Sequence, residues 1–331
     1  MNIKQMIKDW MLPIAMTVGA ASYLVYHSLP QLHVAGPFLS GLVDVLQPLM
    51  IFTMLFLTFC RIEPQELKPH RWHWWLLLIQ GSVFVLIGLG LSAALQFFPS
   101  LSKGWVVVAQ SIMLCVITPT ATAAAVVTRK LGGDVPGITT YIILINMLTA
   151  FLVPLMVPLV QPVTDVTFWV AFSMIMAKVF PLLMLPCLAA WLVRYLFPKI
   201  HAKLVSWPDL PFYIWSFALA LAICVTTRSI VHSDLSWWLM GCIALASLVC
   251  CVFHFSAGRK VGSMYGRRAG KRSKTITAGQ ALGQKNTIFT IWMGYTFMMP
   301  ETAIVGGFYS IWHNIYNSRQ LYRSKHGISQ E

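Results

Sequence analysis

The residues best suited to do chemistry stand in one short run, Ala278–Thr287, inside a long apolar segment. Besides Lys285, the run contains the glycines and polar residues Gly279, Gln280, Gly283, Gln284, Asn286 and Thr287. A lysine near the centre of a bilayer costs about 2.5–3.5 kcal/mol to insert, so it marks a functional site by default. Glycine permits local unwinding, and unwound backbone at that depth survives where it lines a protein-enclosed cavity. We therefore predict that this run is half of a transport site.

A second segment with a polar, helix-breaking interior spans Cys115–Ala125. Around Pro119 it carries three hydroxyl side chains, those of Thr118, Thr120 and Thr122. Proline removes a backbone donor and clashes with the preceding turn, so a helix should kink or break there. A kinked helix whose threonines bond back to its own carbonyls would explain the segment if it stood alone. Together with Gly283, it predicts two broken helices that cross near mid-bilayer and present half-helix ends to a solute.

The composition indicates a membrane protein. Of the 331 residues, 57% are hydrophobic and only 10% are charged, with a mean hydropathy of +0.70. Soluble domains carry about 25% charged residues. Long continuous apolar runs favour membrane-spanning helices over the short alternating strands of a barrel. The seven cysteines have no zinc-type spacing and are predicted to be reduced packing residues.

The apolar runs divide the chain into ten candidate spans and leave no separate soluble domain. The first is interpreted as a retained span rather than a cleaved signal peptide, because no A-x-A site follows it. The predicted spans are 10–28, 36–60, 72–97, 104–128, 137–161, 167–196, 211–229, 236–256, 277–299 and 301–317.

Loop charges predict that both termini lie in the cytoplasm. With the N-terminus inside, 20 basic residues fall on the cytoplasmic side and only Lys103 and Arg228 fall outside. This asymmetry is typical of inner-membrane proteins and favours an even number of spans. The dense basic run 259–274 lies where this rule requires positive charge, so we predict a loop near lipid headgroups and no nucleic-acid partner.

Five spans in each half predict an inverted repeat, because the second half then has the opposite orientation. The first repeat is about 1–162 and the second about 163–320, with 321–331 as a cytoplasmic tail. The fourth and ninth spans are equivalent under this repeat, and they are the two with polar, helix-breaking interiors. The predicted fold class is therefore an all-α polytopic membrane protein of ten transmembrane helices, with spans 4 and 9 broken and crossing.

Five further motifs carry a resemblance to a known family. They are Phe52–Thr58 followed by Glu66-Leu67, Gln80, Pro119–Asp134, Lys178–Leu183 and Tyr309–Ile315, the last being the most specific. In order and spacing these motifs resemble the bile acid:sodium symporter family, also called BASS. The resemblance covers nearly the whole chain. It implies a core domain (spans 3–5 and 8–10), a panel domain (spans 1, 2, 6 and 7) and a solute cavity between them.

The chain departs from that family at its sodium site. The family uses a Ser-Asn pair in span four and a Glu-x-Gly-x-Gln-Asn run in span nine. An ungapped comparison keeps the family glycine at Gly283 and its asparagine at Asn286, and puts Lys285 at its glutamine. The Ser-Asn pair and the glutamate fall on Ala124, Ala125 and Ala281. Methyl groups supply no oxygen to a hard cation. We therefore expect no metal or other cofactor at the usual sodium positions.

Lys285 leads to a hypothesis about coupling. A tethered ammonium would replace the bound cation and donate hydrogen bonds to Gln80, Asn286 and carbonyls of the broken fourth span. Burial disfavours the charged form, so the lysine could load and release a proton during transport; a permanently charged structural lysine is the alternative. Sodium coupling through substitute oxygen ligands also stays open, with candidates in Gln280, Gln284, Thr122 and backbone carbonyls.

The resulting prediction is a secondary transporter of a small organic solute, in particular an organic anion. The family also assigns His313 and Asn314 to the core near the site, although a lone helical histidine is more often a packing residue. Two charges inside spans, Asp44 and Lys178, could contact solute or simply reach an interface. A membrane-embedded enzyme is the alternative of another class. It is disfavoured because the sequence has no H-E-x-x-H motif and no nucleophile–base pair that we can identify.

Overall fold

The computed structural model describes residues 3–162, 166–207, 209–266 and 270–326. Within those ranges every regular element is helical. The 13 α-helices are α1 Ile3–Ser28, α2 Gly36–Cys60, α3 Arg71–Phe97, α4 Lys103–Ile117, α5 Ala123–Lys130, α6 Val135–Val160, α7 Phe168–Leu196, α8 Pro198–Val205, α9 Leu210–Val231, α10 Trp237–Tyr265, α11 Lys271–Gly283, α12 Thr287–Phe297 and α13 Ile304–Lys325. Short 3₁₀ turns cover Pro30–Ala35, Pro64–Glu66 and Pro300–Ala303. The basic-loop residues Arg267 and Arg268, and the tail residues 327–331, lie outside the described residues.

Six of these helices are long and apolar enough to cross a membrane. They are α2 with its preceding turn, α3, α6, α7, α9 and α10. The prediction of a helical protein with several membrane-crossing helices is confirmed at this level, and the count of ten spans stays a prediction. Two predicted spans are each a pair of helices: 104–128 corresponds to α4 and α5, and 277–299 corresponds to α11 and α12.

Several helix boundaries follow from local chemistry. The Asp134 carboxylate accepts a hydrogen bond from the Gly137 backbone at 3.1 Å and caps the start of α6. The Ser236 hydroxyl caps α10 in the same way, at 3.4 Å from the Leu239 nitrogen. Helices α10 and α13 continue past the predicted ends of the eighth and tenth spans, to Tyr265 and Lys325, while the spans themselves stay predictions. The short helix α8 was not predicted.

The helices pack in two sets. In the first, which we call the four-helix set, α1 packs on α9 and α2 packs on both α7 and α9. In the second, α10 contacts α3, α4, α11 and α13, while α6 contacts α3 and α11. The short helix α12 lies between the sets, since it contacts α2 and α9 on one side and α4 and α13 on the other. The sets also meet directly along α6 and α7.

The closest helix packing in the second set is that of α10 on α11, and it depends on glycine. A Cβ atom added at Gly258 would meet the Ala278 carbonyl oxygen, and one added at Gly262 would meet the Lys274 carbonyl oxygen. Small residues let helix backbones approach closely in membranes, where van der Waals packing drives association. The two glycines therefore fix the position of α11 and of the helix break that follows it.

This packing gives a stability prediction. We expect Gly258→Ala to lower the free energy of unfolding by about 1–3 kcal/mol, the usual cost of an extra methyl group in a tightly packed interior. Thermal unfolding of the purified protein in detergent measures the change. Gly241→Ala is the matched control on the same helix, because its added Cβ would meet no atom within 4 Å. Equal melting temperatures for the two variants would contradict the packing described here.

Candidate functional site

The break between α4 and α5 is centred on Pro119. Helix α4 ends at Ile117, and the next residue, Thr118, has the extended angles φ −47° and ψ 127°. A proline imposes this conformation on the residue before it and cannot donate to the preceding turn. The Thr118 hydroxyl donates to the Leu114 carbonyl at 2.6 Å and lies 2.8 Å from the Thr290 hydroxyl of α12. The threonine thus joins the end of α4 to the partner helix.

The break between α11 and α12 covers residues 284–286, and its cause differs from the one predicted. Gly283 does not supply an unusual backbone conformation, because Gly132 is the one glycine with positive φ among the described residues. A Cβ added at Gly283 would instead meet the ring of Phe255 on α10. Helix α12 then restarts because the Asn286 side chain accepts a hydrogen bond from the Phe289 nitrogen at 3.3 Å.

The two breaks pair with each other as a short antiparallel bridge between Thr120 and Lys285. The Ala121 nitrogen donates to the Gln284 carbonyl at 2.9 Å. The Asn286 nitrogen donates to the Pro119 carbonyl at 2.8 Å. Each break therefore satisfies backbone groups of the other, as buried backbone away from water requires.

Surrounding helices pair the remaining carbonyls at the end of α4. The Gln80 amide donates to the carbonyls of Ile117 at 3.2 Å and Thr118 at 3.0 Å. Its own oxygen accepts from the Tyr141 hydroxyl at 3.0 Å. The Thr149 hydroxyl also donates to the Ile117 carbonyl, at 3.1 Å, so Thr149 helps to cap the end of α4. Gln80 is thus a buried cap with both ends of its side-chain amide bound.

The carbonyls at the end of α11 are paired from two directions. The Thr120 hydroxyl donates to the Ala281 carbonyl. The Tyr309 hydroxyl of α13 donates to the Gly283 carbonyl at 2.9 Å. Both carbonyls belong to the last turn of α11, which a helix leaves without internal partners.

Lys285 is 1% exposed, and its ammonium donates to the Val116 carbonyl at 3.2 Å. The predicted contacts with Gln80 and Asn286 are wrong: within the described ranges, neither side chain bonds to Lys285, because both cap helix ends. An ammonium has three donors, so a single hydrogen bond leaves two without a partner. Within the described ranges no carboxylate forms an ion pair with this lysine. The hydrogen bond to Val116 places the ammonium at the negative end of α4.

Of the positions that the sequence comparison aligns with sodium-site residues, the three alanines offer no side-chain oxygen, while the Asn286 side-chain oxygen caps α12. Ala124 and Ala281 are fully buried, and Ala125 lies at a cavity wall. Gln280 faces the other way: its amide donates to Asn317 at 3.0 Å and Gln320 at 2.6 Å on α13. Within the described residues, no group of three or more His, Cys, Asp or Glu side chains is arranged to hold a metal ion.

A cavity of about 890 Å³ lies beside the paired breaks, between the four-helix set and helices α5, α12 and α13; we call it the basic cavity. Seven residues predicted for the site line it: Thr122, Gln284, Lys285, Asn286, Thr287, His313 and Asn314. Six other predicted residues do not line the cavity and instead form or support the helix breaks beside it: Gln80, Thr118, Pro119, Thr120, Gln280 and Gly283.

The wall of the basic cavity also contains residues that sequence reasoning missed. The charged ones are Arg61, Glu66, Arg129, Lys130 and Asp209. On α13, Asn317 follows His313 by one helical turn, so the helical period could have found it. Among the described residues, three buried atoms of this wall have no protein partner: the Gln284 side-chain oxygen, the His313 Nδ1 atom and the Asn317 side-chain nitrogen. Such atoms are suited to bind water or a polar solute.

The capping role of Gln80 can be tested by stability. We expect Gln80→Leu to destabilise the protein by about 1–3 kcal/mol or more, since each buried group left without a partner costs about that much. Gln96→Leu makes the same chemical change on an exposed position of the same helix and should have little effect. Chemical or thermal unfolding in detergent provides the comparison. Similar stabilities of the two variants would argue against the cap.

Comparison with known proteins adds a family to this geometry. The sequence profile of the Sodium Bile acid symporter family matches residues 48–235, more than half of the chain. This range includes the α4–α5 break, and the α11–α12 break lies beyond it. No curated protein matches the chain significantly. The chain belongs to the Sodium Bile acid symporter family.

Proposed function

We propose that this protein is a secondary-active transporter of an organic anion that works by alternating access. In this proposal the helices form ten spans in two inverted repeats, with the four-helix set as panel and the other set as core. The N-terminus and the tail lie in the cytoplasm of a bacterial cell, and the protein lies in the inner membrane. Family membership, the six apolar helices and the cavity between the two sets support this arrangement.

The charge of the basic cavity supports an anionic solute. Its wall contains four basic side chains, those of Arg61, Arg129, Lys130 and Lys285, against the two acidic ones of Glu66 and Asp209. Helices α5 and α12 also begin at this wall, with Thr122 and Asn286 as their N-cap residues. A helix N-terminus carries a partial positive charge that favours anions. Of the three unpaired atoms, the Asn317 nitrogen would donate to a carboxylate and the Gln284 oxygen would accept from a hydroxyl group, while the role of His313 Nδ1 depends on its tautomer.

The observation that carries the coupling proposal is the position of the Lys285 ammonium. It lies at the pairing of the two breaks and binds the end of α4, while the sequence comparison puts alanines at the family's Ser-Asn pair and at its glutamate. A tethered cation there fulfils the electrostatic role of a bound ion. We therefore propose transport that is independent of sodium.

Two versions of this proposal differ in the protonation of Lys285. In a permanently charged version, the negative end of α4 balances the ammonium in every conformation. In a proton-linked version, the buried lysine is neutral in the conformation described here and gains a proton when water reaches it. The second version draws support from the single hydrogen bond, because a buried charge needs more partners than that.

Sodium coupling through substitute ligands is the competing proposal. It draws support from the buried side-chain oxygens of Gln280 and Gln284, which have no partner among the residues that the structure describes. The Gln284 oxygen lies at the cavity wall next to Lys285, so a sodium ion bound there would be repelled by the ammonium. This repulsion makes sodium-independent transport the preferred alternative.

Sodium dependence is the first test. We expect equal melting temperatures in sodium chloride and potassium chloride at the same ionic strength, because an ion that does not bind the native state cannot stabilise it. In proteoliposomes, counterflow of labelled organic anions, from a bile acid to small carboxylates, should proceed without sodium. Stabilisation that is specific to sodium, or uptake that requires it, would reject the proposal. Chemical turnover without vectorial movement would indicate an enzyme instead.

A variant that restores the family pattern provides the converse experiment. It combines Ala124→Ser, Ala125→Asn, Ala281→Glu and Lys285→Gln. We expect this protein to gain sodium-specific stabilisation, since it again offers several oxygen ligands with one anionic group. Lys285→Gln alone is the matched control, because it removes the ammonium without restoring the other ligands. It should show no such stabilisation.

The pH dependence of counterflow distinguishes the two versions of Lys285. In the proton-linked version, counterflow varies with pH in the wild type and loses that dependence in Lys285→Gln. Lys199→Gln removes a positive charge from the exposed helix α8 and should leave the pH profile unchanged. A pH profile that persists in Lys285→Gln excludes the proton-carrier version while leaving sodium independence intact.

A further inference from the structure

A second cavity, of about 740 Å³, lies between α2, α7 and the far end of α12. We call it the Asp44–Lys178 cavity after its two charged residues. Its remaining wall is mainly apolar or aromatic and includes Phe52, Leu182 and Trp292, with the polar Thr296 at its exposed rim. Volume and lining of this kind are typical of sites for small organic molecules, which combine apolar walls with a few polar groups.

The two charges of this cavity lie well inside helices that are long and apolar enough to cross a membrane. Asp44 is eight residues from the start of α2 at Gly36, or about 12 Å along the helix. Lys178 is ten residues from the start of α7 at Phe168, or about 15 Å. Both helices are apolar enough to cross a membrane. Charged side chains at such depths are kept where they face a water-filled space and serve a function.

The two charges do not neutralise each other. In the part of the chain that the structure describes, Asp44 and Lys178 form no ion pair, although both line the same cavity. The Lys178 ammonium lies 5.6 Å from the centroid of the Phe297 ring, a cation–π contact that holds it in place. Both side chains are exposed. The carboxylate and the ammonium are thus available to a solute that enters between α2 and α7.

This cavity is separate from the paired breaks. Along α2, residues 44–52 line the Asp44–Lys178 cavity, whereas Met54 and Thr58 line the basic cavity. Along α12, residues 292–296 contribute to the Asp44–Lys178 cavity, whereas residues 287–288 line the basic cavity. The intervening Ile51, Leu55, Phe289 and Ile291 are fully buried in one apolar cluster. A solute in one cavity therefore does not touch the residues of the other.

We propose that the Asp44–Lys178 cavity binds a small zwitterionic solute with an aromatic or similarly flat apolar body. Lys178 binds the anionic group and Asp44 binds the cationic group, as charge-assisted hydrogen bonds. The body packs against Phe52 and Trp292. This site goes beyond the transport of an organic anion and does not depend on the coupling role of Lys285.

Protection of an introduced cysteine measures binding directly, without transport. Thr296→Cys places a thiol at the exposed rim of the cavity in protein held in lipid nanodiscs. Four probes share a phenyl ring: phenylalanine (zwitterion), phenylpropionate (anion), phenethylamine (cation) and phenylpropanol (neutral). We expect phenylalanine to slow maleimide labelling of the cysteine at concentrations about tenfold lower than any other probe, since each charged contact contributes about a factor of ten. Protein without this cysteine supplies the background from native thiols.

Charge variants in the Thr296→Cys background make the experiment decisive. Asp44→Asn and Lys178→Gln should each remove the advantage of phenylalanine, whereas Lys199→Gln on the exposed helix α8 should preserve it. Lys178→Asp leaves two carboxylates, so phenethylamine should become the best protector. Such a change of preference cannot come from misfolding.

Three outcomes would overturn the inference. Equal protection by all four probes, phenylpropanol included, would mean apolar partitioning of the kind that lipid chains also show. Protection by phenylpropionate alone would mean an anion site without a role for Asp44. The absence of protection by every probe would mean that this space binds no such solute. None of these results bears on the sodium and pH experiments, which report on Lys285.

Discussion

The structure depends on the need to pair every backbone group where two apolar helices are interrupted. A buried carbonyl or amide without a partner costs as much as a lost hydrogen bond or more. The breaks at Pro119 and Gln284 meet this need through each other, by the Ala121–Gln284 and Asn286–Pro119 hydrogen bonds. Gln80, Thr149 and Tyr309 then donate to carbonyls that the bridge leaves unpaired. The crossover is therefore one unit, and neither break is stable without the other.

The need to pair buried backbone groups also explains why Lys285 is tolerated. Its backbone belongs to the bridge, and its side chain extends to the Val116 carbonyl, the next group of α4 that needs a donor. The helix dipole of α4 places partial negative charge at that end. An ammonium on a flexible stem can reach the end of a helix without the shell of oxygen ligands that a free ion requires. Buried alanines at 124 and 281 are compatible with such a cation because they need not bind it.

Much of this architecture could be predicted from the sequence, because long apolar runs and a proline in a membrane span leave few alternatives. The bounds of α2, α3, α6, α7 and α9 lie within two residues of the predicted spans, and α4 stops just before Pro119. The polar ends of α10 and α13 could not be predicted by hydropathy, since they are helical without being apolar. Helix α8 was not predicted for a related reason: at eight residues it is too short to be recognised as a span.

The candidate site was harder to predict, because side-chain partners are set by tertiary geometry. The polar run 278–287 correctly indicated a helix break, but the reason assigned to Gly283 was wrong: it is required by the Phe255 ring and not by its own backbone angles. Gln80 and Lys285 do not bond to each other: Gln80 donates to the Ile117 and Thr118 carbonyls, and Lys285 donates to the neighbouring Val116 carbonyl. A sequence reveals that such groups lie near one another, but not which of them donates to which carbonyl.

The fixed crossover also restricts how the proposed transport cycle can proceed. Helix α12 lines the basic cavity at one end and the Asp44–Lys178 cavity at the other, and its first turn is held to α4 by the bridge. It cannot shift alone without breaking buried backbone hydrogen bonds. The layer of Ile51, Leu55, Phe289 and Ile291 that closes one cavity from the other is apolar and has no such bonds between its side chains. Sliding α2 and its four-helix set along α12 therefore costs least, because it exchanges one apolar contact for another.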